Sequence, residues 1–214
     1  MIPSPDMIAD IHSHHFPPYR NAVTNIRFGK DAIPEGDCLL SIGIHPWDTA
    51  ETDIMQLFHA LAETAETDSR IAAIGETGID TLRGASPEIQ HNIFTAHAAL
   101  AEQLRKPLII HAVRSIHTIL QLHRQLRPTV PWAIHGFRGK AETMRALHSA
   151  GIYTSIGKHI PAWLIAENSP GSPLQAKLPE GIDPALILAE TDEADTLPIL
   201  PFDTTANAIR FLNR

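Results

Sequence analysis

Short apolar runs rich in β-branched residues recur along the chain and alternate with amphipathic segments. The runs are continuous, which is typical of strands buried on both faces of a parallel sheet. Seven runs are clear and Val23–Phe28 is a weaker candidate; the seven are Ile8–Ile11, Leu39–Ile44, Ile71–Ile74, Leu108–Ile110, Trp132–Ile134, Ile152–Ile156 and Ala185–Leu188. Helices are predicted at 51–67, 87–105, 115–126 and 140–150, the second with Ser86 as N-cap and Pro87 at its first position.

Strands that alternate with helices through short loops predict an α/β fold with a parallel sheet. Only seven strands are clear, because the stretch between His15 and Asp37 is interrupted by Pro and Gly. A second stretch rich in Pro and Gly, at 168–184, is predicted to be a surface or active-site loop. No linker divides the chain, so residues 1–214 are expected to form one domain.

Composition excludes several classes of protein. Hydrophobic residues make up 43% of the chain and charged residues 19%, which is ordinary globular composition. No stretch approaches the roughly 18 apolar residues of a membrane span. The single cysteine, Cys38, and the lack of a signal-peptide pattern favour a cytoplasmic protein. A net charge of -7 excludes a global basic field that would attract nucleic acid.

The chain has 13 histidines, and several follow predicted strands. His12 and His14 follow the first run, and their two-residue spacing on an extended segment points both to one face. Four further strands lead directly to a side chain that can bind metal: Glu76, His111, His135 and Asp192. Carboxyl ends of parallel strands meet at one edge, where active sites are built. Four imidazoles and two carboxylates suit two divalent cations with one bridging carboxylate.

Each of these residues alone has an ordinary structural explanation. A single histidine at a strand end is more often a loop hydrogen-bonding residue, and Asp192 could be part of a solvated acidic turn. The prediction therefore depends on the joint pattern of five strands. His45, which follows the run Leu39–Ile44, could either contact substrate or orient a metal ligand.

The segments around these residues resemble the TatD-type metal-dependent deoxyribonucleases, which belong to the wider group of amidohydrolase-like barrel hydrolases. The resemblance runs in order along nearly the whole chain, through ADIHSHHF, SIGIHPWD, AIGETGID, PLIIHAVRS, WAIHGFRG, GIYTSIG and LAETDEAD. It implies a distorted or incomplete TIM-type (β/α) barrel that binds two divalent metals and hydrolyses phosphoester bonds in nucleic acid. It also implies that Glu76 bridges the metals.

The chain departs from the family pattern in two places. Members usually have another βα unit between the D-x-H-x-H and G-I-H-P segments, whereas here only residues 15–44 separate His14 from His45. The E-T-D motif is commonly followed by Ser-Pro, an arginine and another helix. Here Glu193 and Ala194 follow, and the chain then reaches TTANAIRFLNR, which resembles the closing helix of the family. No ligand position is lost, but the segments that would line the substrate groove are shortened.

The resemblance implies a mechanism of metal-assisted hydrolysis. One cation is expected on His12, His14, Glu76 and Asp192, and the other on Glu76, His111 and His135. A hydroxide bridging the cations is the expected nucleophile. Glu76 and Asp192 are the expected catalytic residues, and Asp192 would orient this hydroxide or accept its proton. The metal could be Zn²⁺, Mg²⁺ or Mn²⁺. Expected substrate contacts are His45, Arg83, Arg114, Arg138 and Lys158.

The favoured function is an exonuclease-type deoxyribonuclease, with DNA or a small phosphodiester as substrate. One alternative is hydrolysis of a C–N or C–O bond in a small molecule; Glu76 stands where many such enzymes use a modified lysine, which favours the nuclease. A second alternative is a non-catalytic metal-binding protein, against which the complete set of six ligands argues. The oligomeric state is not predicted.

Overall fold

A computed structural model describes residues 8–51, 53–165 and 178–213. Within these residues, eight parallel strands form one sheet whose spatial order is the chain order. The strands are β1 (Asp10–Ser13), β2 (Ala22–Arg27), β3 (Leu39–Gly43), β4 (Ile71–Asp80), β5 (Leu108–Val113), β6 (Trp132–Ile134), β7 (Tyr153–Ile156) and β8 (Ile187–Ala189). The α-helices are α1 (Ile54–Thr67), α2 (Pro87–Leu104), α3 (Ile116–Leu126), α4 (Ala141–Ser149) and α5 (Thr204–Leu212). The predicted α/β class is confirmed, and the architecture is a (β/α) barrel.

The barrel closes at a seam between β1 and the segment that follows β8. The His14 N–H donates to the Asp192 carbonyl oxygen and the Asp192 N–H to that of His12, both at 2.9 Å. Below them, the Asp10 carboxylate accepts hydrogen bonds from the Thr191 N–H at 3.1 Å and the Thr191 hydroxyl at 2.6 Å. Three of the predicted metal ligands therefore lie on the two segments that close the barrel.

The barrel has one strand more than the seven clear runs, because the weak candidate at 23–28 is a full strand. β2 pairs with β3 from Val23 opposite Leu39 to Arg27 opposite Gly43. Its sequence was hard to interpret because Asn25 is fully buried inside it and interrupts the apolar run. The expected loss of a βα unit is thus a loss of helix only: the strand is present, and the connections at 14–21 and 28–38 contain no helix.

Several strand limits also differ from the prediction. β4 continues to Asp80 and β5 to Val113, so Glu76 and His111 lie within strands and not at their ends. The pairing of β4 with β5 shifts register between Ile74 and Thr77, an irregularity of the kind that a β-bulge produces. The run Ala185–Leu188 begins in a 3₁₀ turn, Pro184–Leu186, before β8. Most of the loop predicted at 168–184 lies outside the described residues.

Glycine is required where β4 passes β5. Gly75 has φ +124, and a Cβ added there would lie 2.3 Å from the Ile109 carbonyl oxygen. Because no side chain fits at that distance, only glycine allows β4 to approach β5 so closely beside Glu76.

The candidate metal ligands lie one layer above a cluster of apolar side chains inside the barrel, called the floor here. That floor is a cluster of one residue from each of six strands, packed against Ala208 and Phe211 of α5: Ile11, Ala73, Ile109, Ala133, Tyr153 and Leu188. His111, His135 and Glu190 each come two residues after a member of the floor. Since side chains alternate between the faces of a sheet, these three point to the same side as the floor.

The four predicted helices are confirmed, and a fifth follows β8. The predicted cap of α2 is present: the Ser86 hydroxyl oxygen accepts a hydrogen bond from the Ile89 N–H, with Pro87 in the first turn. The outer faces of the strands pack against the helices in a second, larger apolar cluster that includes Phe94, Trp132 and Leu147. None of the described helices has the length and apolar character needed to cross a bilayer.

Candidate metal centre

Glu76, from the middle of β4, lies at the centre of the site and is only 3% exposed. Its Oε2 faces the seam, 3.5 Å from His12 Nε2 and 3.6 Å from His14 Nε2. Its Oε1 faces the other way, 2.6 Å from His111 Nδ1 and 2.7 Å from His135 Nε2. One carboxylate therefore presents one oxygen to each of two imidazole pairs.

Within each pair, the ring nitrogens face each other. His12 Nε2 lies 3.1 Å from His14 Nε2, and His111 Nδ1 lies 3.1 Å from His135 Nε2. Asp192 completes the first group, with Oδ1 3.7 Å from His14 Nε2. The structure thus brings all six predicted ligands together. Among the residues that the structure describes, three overlapping sets have donor atoms within 4.8 Å of one another and could hold a metal ion: His12, His14 and Asp192; His12, Glu76 and His135; His45, Glu76 and His111.

The charges of this cluster explain why it suits a cation. Burial raises the pKa of Glu76, but the surrounding imidazoles lower it well below its usual range, so the carboxylate stays charged. Burial lowers the pKa of His135, but the adjacent Glu76 outweighs burial and raises it to about 9. Burial and the neighbouring imidazoles hold the pKa of His12 well below normal.

The five imidazoles around Glu76 cannot all carry protons at such distances, whereas a divalent cation could satisfy several nitrogens at once. A mixed set of imidazole nitrogens and carboxylate oxygens is the donor set that zinc and similar ions prefer. The residues therefore fit a metal centre.

Two side chains that sequence reasoning did not select hold Glu76 in place. The side-chain amide oxygen of Asn25, Oδ1, accepts a hydrogen bond from the Glu76 N–H at 2.8 Å, and the Ser41 hydroxyl donates to the same oxygen at 3.1 Å. Asn25 Nδ2 lies 3.4 Å from Glu76 Oε2. A polar residue inside an otherwise buried strand was the signal that could have identified Asn25.

His45 also contacts Glu76, and its hydrogen bonds define its tautomer. Its Nδ1 accepts from the Trp47 N–H at 3.2 Å, so the ring proton is on Nε2, 3.1 Å from Glu76 Oε1. His45 is therefore placed to donate to Glu76 and orient it, which supports the second of its two interpretations. Its contact with substrate stays a prediction.

Glu190 is a further residue that the sequence did not single out. Its carboxylate is fully buried, accepts hydrogen bonds from the Gly136 N–H at 2.7 Å and from the Ser155 hydroxyl, and lies 3.9 Å from His135 Nδ1. Burial raises the pKa of Glu190 to about 7. Its position two residues after Leu188, on the same strand face as the floor, was the available signal.

A cavity of about 560 Å³ opens beside the metal centre. His111, His135 and Asp192 form its inner end, and its walls include Trp47, Ile116 and Phe137.

The four predicted cationic contacts lie at different positions around the site. Arg138 lines the cavity. Lys158 lines a small cleft that also includes Arg138, Glu190 and Asp192. The guanidinium of Arg83 lies 4.4 Å from the centre of the Trp47 ring. Arg114 is exposed just beyond β5 and is not among the described residues that line the cavity.

Comparison with known proteins agrees with this geometry. A family model described as TatD related DNase matches residues 21–208. The 3'-5' ssDNA/RNA exonuclease TatD of Edwardsiella piscicida is 32% identical over 166 residues, covering 75% of this chain and 60% of the relative. The protein of the same name from Pantoea vagans is 34% identical over 171 residues, covering 76% and 60%. The matched part thus spans about 60% of the length of these curated relatives.

Solved structures support the fold. A TatD homologue from Escherichia coli superposes with a TM-score of 0.61 at 17% identity, covering 96% of this chain and 87% of that one. A TatD family hydrolase from Entamoeba histolytica gives 0.54 at 19% identity, covering 81% and 65%. Because the family model matches most of the chain and curated relatives exceed 30% identity, this chain belongs to the TatD related DNase family.

Proposed function

We propose that this protein is a metal-dependent phosphodiesterase that releases nucleotides from the end of single-stranded nucleic acid. The observation that carries the proposal is the carboxylate of Glu76, whose two oxygens face two separate imidazole groups. The curated relatives that carry the name exonuclease support the choice of substrate.

Two divalent cations are proposed, one on His12, His14, Glu76 and Asp192, and one on Glu76, His111 and His135. Zn²⁺, Mg²⁺ and Mn²⁺ are the candidates. When bound, such cations lower the pKa of a water molecule and offset negative charge on phosphoryl oxygens.

The protein's own residues supply position and proton transfer. Asp192 is partly exposed at the inner end of the cavity, with its backbone held at φ +55 and its N–H bonded to β1. This position supports the proposal that its carboxylate accepts the proton of an attacking water. Arg138 and Lys158 flank Asp192 and are the proposed contacts to phosphate. Asn25 and His45 hold Glu76, so that its two oxygens stay directed to the two groups.

The test is hydrolysis of bis-p-nitrophenyl phosphate, and then of end-labelled single-stranded DNA, with Mn²⁺ or Mg²⁺ added. We expect turnover by the wild type and a loss of about 10² or more in rate for Asp192→Asn, as is typical when a proton acceptor is removed. The control is Leu126→Ala, which changes an exposed residue at the end of α3. If Asp192→Asn retained the wild-type rate, Asp192 would have no part in the mechanism.

Two other results would favour the alternatives stated above. If the metal-loaded protein cleaved C–N or C–O bonds of small molecules but hydrolysed no phosphodiester, it would be an amidohydrolase-type enzyme. A protein that binds metal and hydrolyses neither class of bond would be a metal-binding protein without catalysis.

A further inference from the structure

The indole of Trp47 is a partly exposed aromatic ring at the edge of the candidate metal centre, with the Arg83 guanidinium over one face. It belongs to the 3₁₀ turn Pro46–Asp48 that follows β3, and the residue is 39% exposed. Its ring centre lies 4.7 Å from that of His45 and 6.0 Å from that of His111. A large apolar side chain so close to a metal centre has no role in the proposed chemistry.

The indole is nevertheless fixed from several sides. Its Nε1–H donates to Asp80 Oδ2 at 2.6 Å, and the backbone N–H donates to His45 Nδ1. The Arg83 guanidinium lies 4.4 Å from its ring centre, a cation–π distance. The turn is anchored by a 2.8 Å ion pair between Arg27 and Asp48. Because the ring is already ordered, a ligand that packs on it would lose little of its binding energy to ordering the protein.

Trp47 lines the cavity beside the metal centre together with apolar residues. Val113, Ile116, Ile134 and Phe137 contribute to the wall, and its charged or polar side chains are Arg138 and the candidate metal ligands His111, His135 and Asp192. A volume of about 560 Å³ is within the usual range for one bound small molecule and is too small for a length of nucleic acid.

We propose that this cavity is a subsite for the base of one terminal nucleotide, with Trp47 as its stacking surface. The inference rests on the proposed function, since the phosphate of that nucleotide would lie at the metal centre and Arg138. Stacking on an aromatic side chain is available to every base. Because the described part of the wall has few groups that could hydrogen-bond to base edges, the subsite is proposed to accept different bases and to require only that a base is present.

The test compares two ligands that share a phosphate and differ in the base. Isothermal titration calorimetry with Mg²⁺ measures binding of deoxyadenosine 5′-monophosphate and of 2-deoxyribose 5-phosphate. We expect the nucleotide to bind wild type about tenfold more tightly, within the energy of stacking one base on an aromatic side chain. Thymidine 5′-monophosphate should bind within a few-fold of the adenine nucleotide.

Variants of Trp47 separate stacking from other effects. Trp47→Leu should reduce binding of the nucleotide to that of the sugar phosphate and leave the sugar phosphate unchanged. Trp47→Phe keeps an aromatic ring and should retain most of the difference, even though it lacks the hydrogen bond to Asp80. Leu126→Ala, at the end of α3, is the control and should behave as wild type.

The inference fails if wild type binds the two ligands equally, if it binds neither, or if Trp47→Leu leaves their ratio unchanged. These results are distinct from failure of the proposed function. Binding of a product needs no turnover, so a protein that distinguishes the ligands but hydrolyses no phosphodiester would contradict only the proposed activity. A protein that hydrolyses phosphodiesters without distinguishing the ligands would contradict only the subsite.

Discussion

At the scale of single residues, the centre is built around one carboxylate that serves two groups of imidazoles. Glu76 Oε2 faces His12 and His14, whereas Oε1 faces His111 and His135. Removing a histidine and removing the carboxylate are therefore different perturbations, because each histidine belongs to one imidazole pair, whereas the carboxylate faces both pairs.

This difference can be measured as bound metal per chain. Glu76→Gln keeps the size of the side chain but removes its charge, so we expect metal content to fall at both proposed sites. His12→Ala removes one ligand from one group and should lower occupancy mainly there. The measurement is elemental analysis after dialysis against a fixed concentration of Mn²⁺. Equal metal loss in the two variants would contradict a bridging role for Glu76.

Buried histidines outside the centre make stability depend on pH. His148 accepts a hydrogen bond at Nδ1 from the Asp183 N–H and has Nε2 3.1 Å from the Thr154 hydroxyl; burial lowers its pKa to about 4. The unfolded value is about 6.5, so the unfolded chain takes up the proton first as pH falls. Its contribution to stability is therefore complete above about pH 6.5 and is lost progressively as the pH falls toward 4.

The check is denaturant unfolding of wild type and His148→Gln at pH 7 and pH 5. Relative to the variant, wild type should lose an additional ~2 kcal/mol over this interval. Other titrating groups affect both proteins, so the comparison isolates His148. An identical pH dependence in the two proteins would show that His148 does not stay neutral when folded.

At the scale of elements, β4 is the strand on which the site depends. It runs from Ile71 to Asp80, carries Glu76 at its middle, and passes close to β5 at Gly75. An added Cβ on Gly75 would lie 2.3 Å from a backbone oxygen, whereas one on Gly151, also at positive φ, would have nothing within 4 Å.

These two glycines form a matched pair. Gly151→Ala should cost only about 1 kcal/mol of unfolding free energy, the penalty of a left-handed conformation. Gly75→Ala adds a backbone clash to that penalty and should cost more than ~3 kcal/mol. Urea titration followed by circular dichroism measures both. Similar losses in the two variants would show that β4 can move away from β5 without cost.

The elements also show what a sequence can and cannot predict. Strands with unbroken apolar runs, such as Leu39–Gly43 and Trp132–Ile134, were identified because burial on both faces leaves a local signal. β2 gives only a weak sequence signal, because its buried Asn25 is satisfied by residues of other strands and those contacts leave no local pattern. The predicted ligands can be picked out because they follow such runs, whereas Trp47 and Glu190 reach the site only through the three-dimensional arrangement.

At the scale of the whole molecule, the seam connects the start of the barrel to its end. It is closed by the backbone of His12, His14 and Asp192, which are also proposed ligands, and by the pair of Asp10 and Thr191. A cation held by these side chains would therefore stabilise the closure of the barrel as well as the site.

Removal of metal should loosen the seam more than the rest of the barrel. We expect the amides of His14 and Asp192 to exchange with solvent hydrogen faster in chelator than in Mn²⁺ or Zn²⁺. The amide of Leu40 in β3 donates to the Arg70 carbonyl oxygen, directly before the neighbouring strand β4 and away from the seam, and should exchange at the same rate in both. Hydrogen exchange followed by mass spectrometry of short peptides resolves these segments. Uniform change across all peptides would indicate that metal acts on the entire barrel and not on the seam.

The seam also has a consequence for synthesis of the protein on the ribosome. His12, His14, Glu76, His111 and His135 all leave the ribosome before Asp192, and the strand that precedes Asp192 is the last of the eight. A nascent chain therefore carries most of the ligands while its first strand still lacks its final neighbour, since distant pairings form only when both segments exist. In each newly made chain, the barrel would then close at the same step at which the last of the proposed cation-binding residues joins the others.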